Sequence, residues 1–166
     1  MQLLIKKARQ GDPDAFVELM ESCKSSMYRV AKGFFYSDAD IADAMAETVL
    51  LAYEHISELK QEKYFKTWLI RILINVCNHM SQKQKVNESV DTIPEIIYLD
   101  KGFSDLEFRE ILSSYPEDCQ MILLLYYGEQ LTTREIADIL EIKESTVRSK
   151  IHRVKNNLRK ELVYSF

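Results

Sequence analysis

Arg148, Ser149, Lys150, His152 and Arg153 stand close together near the end of the chain. Residues of these types donate N–H and O–H groups to phosphate oxygens and to the acceptor edges of guanine, so the chemistry they suit is recognition of duplex DNA. A second basic stretch, Lys60, Lys63, Lys66, Arg71, Lys83 and Lys85, is interleaved with Tyr64, Phe65, Trp68, Asn75 and Asn78. Rings beside cations suit single-stranded nucleic acid, because an unstacked base needs a surface to stack on and its phosphate needs a counter-charge. Phe65 and Trp68 also fall on an apolar helical stripe and read first as core residues. The loop residues Lys60, Lys63, Tyr64 and Lys66 and the polar positions Arg71 and Asn75 are therefore the better candidates. Catalysis finds no comparable footing. The three His and three Cys never cluster at ligand spacing, Cys77 and His79 sit two apart within a helical pattern, and no phosphate-cradling glycine loop or nucleophile motif is present. We expect a non-enzymatic protein with no cofactor and no bound metal.

The duplex-reading cluster needs an element to hold it, and the preceding residues supply one. Thr132 followed by Glu135 is a capping box, and Ile136, Ala137 and Leu140 give the helix it opens an apolar face. Glu141 to Lys143 form a break. From about Lys143 a second helix places Val147, Ile151, Val154 and Leu158 on one stripe and Arg148, Lys150, Arg153, Lys155, Arg159 and Lys160 beside or opposite it. Short capped helix, tight turn and longer basic helix make a helix-turn-helix. A solvated amphipathic helix carries similar charges, and the first helix and turn are what favour DNA binding. From Lys143 onward there are seven Lys/Arg against two Glu in a chain whose net charge is −4, so the basic patch is local.

The rest of the chain reads as helical. It has 166 residues, 46% hydrophobic, only four Gly and three Pro, and no alternating strand pattern. A short helix over residues 2–10 precedes Asp12-Pro13, an N-cap with Pro at the first helical position, and a second helix carries Phe16, Leu19, Met20, Cys23, Met27 and Val30 inward until Gly33. Ser37 caps a third helix whose stripe is Ile41, Met45, Thr48, Ala52 and Ile56, and a fourth buries Phe65, Trp68, Leu69, Ile72, Leu73, Val76, Cys77 and Met80. Four such stripes can close a small bundle. Residues 84–104, with Pro94, Gly102 and several acids, lack a period and read as a flexible linker. Beyond it we expect a helix over 105–114, another opened by Pro116 and running to Tyr127, and the helix-turn-helix. The expected fold is all-α, with two small helical domains, 1–83 and 105–166, joined by residues 84–104. Cys23, Cys77 and Cys119, an odd number far apart in apolar patterns, read as buried thiols in a reducing compartment. Neither a signal-peptide layout nor an apolar run of membrane-spanning length is seen, so we expect a cytoplasmic protein without direct membrane insertion.

Two stretches together carry a family resemblance. Asp43-Ala-Met-Ala-Glu47-Thr-Val-Leu-Leu-Ala-Tyr53 followed by Tyr64-Phe-Lys-Thr-Trp68-Leu-Ile-Arg71-Ile-Leu-Ile-Asn75 resembles region two of bacterial RNA polymerase sigma factors of the extracytoplasmic-function type, group IV of the sigma-70 family. Tyr115-Pro-Glu-Asp-Cys-Gln-Met, Leu131-Thr-Thr-Arg-Glu-Ile-Ala and Ser145-Thr-Val-Arg-Ser-Lys-Ile-His-Arg resemble region four of the same group. The resemblance implies that Asp40, Asp43 and Glu47 dock on core RNA polymerase. It implies that Leu59, Lys60, Lys63, Tyr64, Lys66, Arg71 and Asn75 meet the minus-ten element, capturing an extruded base. It assigns Arg148, Ser149, Lys150, His152 and Arg153 to the major groove of the minus-thirty-five element, His152 being either a phosphate donor or a packed helical residue. It also implies promoter DNA and an anti-sigma factor, often membrane-bound, as partners. Two positions depart from the pattern: Ala46 stands where the family usually carries Gln, and Lys143 where many members carry Pro or Ser. The competing reading is a stand-alone helix-turn-helix regulator, which accounts for the C-terminal element but not for the acidic helix joined to the basic aromatic one.

Overall fold

The computed structural model describes residues 1–87 and 113–164, apart from the side chains of 84–87, 117, 158 and 161–164. The described residues are helical and contain no strand, and the chain divides into two compact units, Met1–Ser104 and Asp105–Phe166.

In the first unit, α1 (Gln2–Arg9) is closed by Gly11, whose φ of 90° only glycine adopts without strain; its N–H bonds the Ala8 carbonyl and that of Asp12 the Lys7 carbonyl. Asp12 then opens α2 (Pro13–Ala31): its carboxylate accepts the Ala15 N–H at 3.1 Å, and Pro13 occupies a position whose missing N–H costs nothing. Ser37 opens α3 (Asp38–His55) in the same way, its hydroxyl accepting the Asp40 N–H at 3.4 Å. Two 3-10 turns, Ile56–Glu58 and Glu62–Tyr64, lead into α4 (Phe65–Asn87), which runs past residue 84, where the sequence pattern places the start of the linker. The remainder of the expected linker and most of the helix expected over 105–114 lie outside the described residues.

The core of this unit comes from Phe16, Leu19, Met20, Met27 and Val30 of α2 and Phe65, Leu69, Ile70, Leu73, Ile74 and Cys77 of α4, with α3 packed against both helices. The buried stripe of α3 is Ile41, Ala44, Thr48 and Ala52. Met45, expected there, is only half-buried and Ala44 takes the inward place. A stripe of small residues lets its neighbours approach closely, and Thr48 enters the core without penalty because its hydroxyl donates to the Ala44 carbonyl at 2.7 Å. Trp68 and Ile72, also expected inside, are half-buried.

In the second unit, α5 (Glu117–Leu123) widens into a π-helical turn over Leu124–Gly128. Ile122, Leu123, Leu124 and Leu125 are buried in succession, the first two at the end of α5 and the last two in the wider turn. Gln130, with φ of 57°, turns the chain, and the Leu131 N–H bonds the Leu125 carbonyl. The capping box forms as the spacing predicts: the Thr132 hydroxyl accepts the Glu135 N–H at 3.2 Å while the Glu135 carboxylate accepts the Thr132 N–H at 2.8 Å, starting α6 (Thr133–Leu140). Glu141 ends that helix in the left-handed region at φ 55°, ψ 39°, and α7 (Glu144–Tyr164) follows. Lys143, where a capping side chain is commonly found, serves through its carbonyl, which accepts the Thr146 and Val147 N–H groups. Ile136, Ala137 and Ile139 of α6 and Val147, Ile151 and Val154 of α7 are buried, which locks the helix-turn-helix together.

Candidate nucleic-acid and polymerase interfaces

Burial of Val147, Ile151 and Val154 rotates the opposite side of α7 to solvent, and Arg148, Ser149, His152 and Arg153 are exposed there. Arg148 is not loose: its Nε and Nη2 donate to Glu144 Oε1 at 3.1 and 2.7 Å, one helical turn back. The Ser149 hydroxyl donates to the Thr146 carbonyl at 3.0 Å, and His152 Nε2 lies 2.9 Å from Asn156 Nδ2. Lys150 is placed differently from its neighbours. Its ammonium is ion-paired with Asp118 of α5 and lies 3.8 Å from the Cys119 sulfur, so it points along the unit rather than outward. That hydrogen bond holds the Asp118 carboxyl below its ordinary range and the Lys150 ammonium above its own. Lys155 adds a further cation, 5.4 Å from the centre of the Tyr126 ring.

Glu144 is a participant that the basic pattern did not single out. Its Oε1 also accepts the Thr133 hydroxyl at 2.7 Å, joining the start of α6 to the start of α7. Thr133 first, then Arg148, hold this carboxyl below its usual value. The Glu144 to Arg148 spacing of four was readable in the sequence as a helical ion pair. Its link to Thr133, eleven residues away, was not, because it depends on how the two helices cross.

In the first unit, Lys60, Lys63, Tyr64, Lys66 and Arg71 are exposed on the loop and the start of α4. The Lys63 ammonium lies 4.7 Å from the Tyr64 ring centre, so cation and ring form one surface. Leu59 is only 6% exposed, so its side chain is not open to a ligand. The same segment is tied to α1 by Arg9 and Glu62, 3.5 Å apart. The Arg9 Nε is buried there without a hydrogen-bond partner among the described residues.

Asp43 and Glu47 are exposed on α3 and Asp40 is half-buried, at spacings of three and four that keep them on one face. Asn75, which the sequence pattern groups with the loop, lies instead in an open groove of about 460 Å³ between α3 and α4. Leu51, Trp68, Ile72 and Val76 supply its apolar lining, with Glu47, His55, Glu58 and His79 beside Asn75. The His55 Nδ1 sits 3.2 Å from the Glu58 carboxylate. Glu47 and Asn75, assigned to different partners from sequence, thus border one depression.

Cys23, Cys77 and Cys119 are free and buried, and burial pushes the Cys77 thiol up to about 12. Among the described residues no cluster of His, Cys, Asp and Glu could hold a metal ion, and no helix is long and apolar enough to cross a membrane.

Comparison with known proteins agrees with this arrangement in both units. Residues 19–86 match the family described as Sigma-70 region 2, and residues 105–158 match Sigma-70, region 4. The ECF RNA polymerase sigma factor SigW of Bacillus subtilis is 26% identical, over 98% of this chain and 98% of that protein. The ECF RNA polymerase sigma-E factor of Escherichia coli K12 is 27% identical, over 93% of this chain and 90% of that one. Among solved structures, CnrH in complex with the cytosolic domain of CnrY has the same fold, with a TM-score of 0.67 at 16% identity over 99% of this chain and 98% of that one. The two sigma-70 regions in one chain place it in the class of transcription initiation factors. The chain belongs to the sigma-70 family, and within it to the extracytoplasmic-function sigma factors.

Proposed function

We propose that this sigma factor directs core RNA polymerase to its promoters, with residues 1–83 engaging polymerase and the minus-ten element, residues 105–166 engaging the minus-thirty-five element, and residues 84–104 between them. The observation that carries this reading is the presence of both sigma-70 regions in one chain, since a stand-alone helix-turn-helix regulator has no use for the first. Asp40, Asp43 and Glu47 form the polymerase-docking face. Lys60, Lys63, Tyr64, Lys66, Arg71 and Asn75 meet the minus-ten element, while the buried Leu59 does not. A captured, flipped base offsets an unstacking cost of about a few kcal/mol, so the promoter opens without fuel. Arg148, Ser149, His152 and Arg153 face the major groove at the upstream element, and Lys150 braces the helix that carries them. The protein acts by binding rather than by bond chemistry, and it works in the cytoplasm.

CnrH was solved with the cytosolic domain of CnrY, and the sigma factor RpoE of Bartonella quintana with the anti-sigma factor NepR. By analogy we propose an anti-sigma partner for this chain. Run-off transcription with core polymerase on genomic fragments tests the whole reading: start sites that appear only when the protein is added, preceded by a shared pair of elements, are expected. Transcription unchanged by its addition would refute it.

A further inference from the structure

Glu144 stands where a carboxylate is least welcome, in the first turn of the helix proposed to enter a groove walled by phosphates. A negative charge there opposes the polyanion; as a first-turn carboxylate it favours the helix N-terminus, and it also organises two neighbouring side chains. One oxygen, Oε1, receives Nε and Nη2 of Arg148 and the hydroxyl of Thr133. The arginine has five N–H donors in a rigid fork, and the two nitrogens engaged by Glu144 leave the Nη1 donors and the remaining Nη2 donor for a ligand. The Arg148 side chain is nonetheless 68% exposed, while that of Glu144 is 35% exposed, so the carboxylate lies behind and the free part of the guanidinium in front. An unclamped arginine swings and meets phosphates wherever they come within reach. A clamped one offers a single edge in a fixed direction, which suits the paired acceptors of a guanine better than a diffuse phosphate field.

From this geometry we infer that Glu144 is a specificity-determining positioning residue: with Thr133 it aims Arg148 at a base edge in the upstream element, at the expense of general affinity for DNA. The inference rests on the proposed upstream contact face of α7. Its distinguishing consequence is that sequence preference and non-specific binding move in opposite directions when the carboxylate is removed, whereas a residue that merely supports the fold lowers both.

The test uses the full chain assembled with core polymerase, on promoter fragments randomised across the upstream element, alongside binding to a duplex of unrelated sequence. Wild type, E144Q, E144A, T133V, R148A and the E144A/R148A pair are compared, with circular dichroism melts to show that each is folded. R148A is expected to abolish the preference at one base position. E144A should reduce preference at that same position by about fivefold or more, the scale of one bidentate base contact, with E144Q and T133V changing it in the same direction. Binding of E144A to the unrelated duplex should rise, with a steeper salt dependence, because one repulsive charge is gone. In the double variant, loss of Glu144 should add nothing to the loss of sequence preference caused by R148A. If R148A leaves every position unaffected, the contact face of α7 is wrong and the inference falls with it. If R148A acts but E144A does not, or if a folded E144A weakens specific and unrelated DNA equally, the contact face stands and the role of Glu144 is refuted.

Discussion

Lys150 and Arg148 share a helix, a charge and nearly the same composition of neighbours, yet one is tied to α5 and the other faces solvent. The distinction follows from the two-residue offset, about 200° around a helix, which puts them on different sides. Replacing Lys150 with Ala should therefore lower the thermal midpoint of the second unit by the equivalent of about 0.2–1 kcal/mol, the scale of a largely solvent-screened pair. It should alter sequence preference less than R148A does; melting curves and the randomised-promoter assay separate the two effects. The ionisation of this region also gives it a pH window. Asp118 and Glu144 have carboxyl groups held below their ordinary values, so their contribution is present above the unfolded carboxylate range and is lost as pH falls through their folded values. Lys150 lies above its own, so its part persists until pH rises past the ordinary lysine range. Unit-two melting should thus be flat near neutrality and decline in acid. Cys77 behaves in the opposite sense to the carboxylates: a thiol raised to about 12 stabilises the fold fully below the unfolded thiol value of 9.0, and that contribution is lost as pH climbs from there toward 12. Alkylation of Cys77 at neutral pH should be undetectable until the first unit unfolds, which mass spectrometry across a denaturant series will show.

At the scale of elements, the caps were legible because they are local. Asp12, Ser37, Thr132 and Glu135 each satisfy an N–H three residues away, or its reciprocal, a relation that spacing alone expresses. The π turn over Leu124–Gly128 was not, since four consecutive apolar residues say that something is buried but not by what winding. Ala44 in place of Met45 has a similar origin: both lie near the inward face of α3, and the crossing helices decide which fits. Two consequences can be measured. Glu141 closes α6 in the left-handed region, which disfavours a side chain without a local hydrogen bond, so Glu141→Asn should stabilise the second unit by up to about 1 kcal/mol in chemical denaturation. Leu73, completely buried in α4, should cost about 2–5 kcal/mol when cut to Ala, with partial or complete unfolding of the first unit seen by circular dichroism.

For the molecule as a whole, charge is divided between the two units, with an acidic face on α3 and a basic one on α7. The two should fail independently. Reversing Asp43 and Glu47 to Lys should weaken capture of core polymerase severalfold in a pull-down while leaving binding of the upstream element to the free chain unchanged; loss of both would count against separate faces. The helical periods, the caps, the turn before α7 and the family motifs were written in the sequence, because each relates residues within a few positions of one another. Which cation is drawn to a neighbouring helix, which carboxylate joins an arginine to Thr133, and that Glu47 and Asn75 border one groove depend on helices brought together from distant parts of the chain. Rotation and crossing of those helices are set by the packing of whole apolar faces, and only the tertiary structure carries that information.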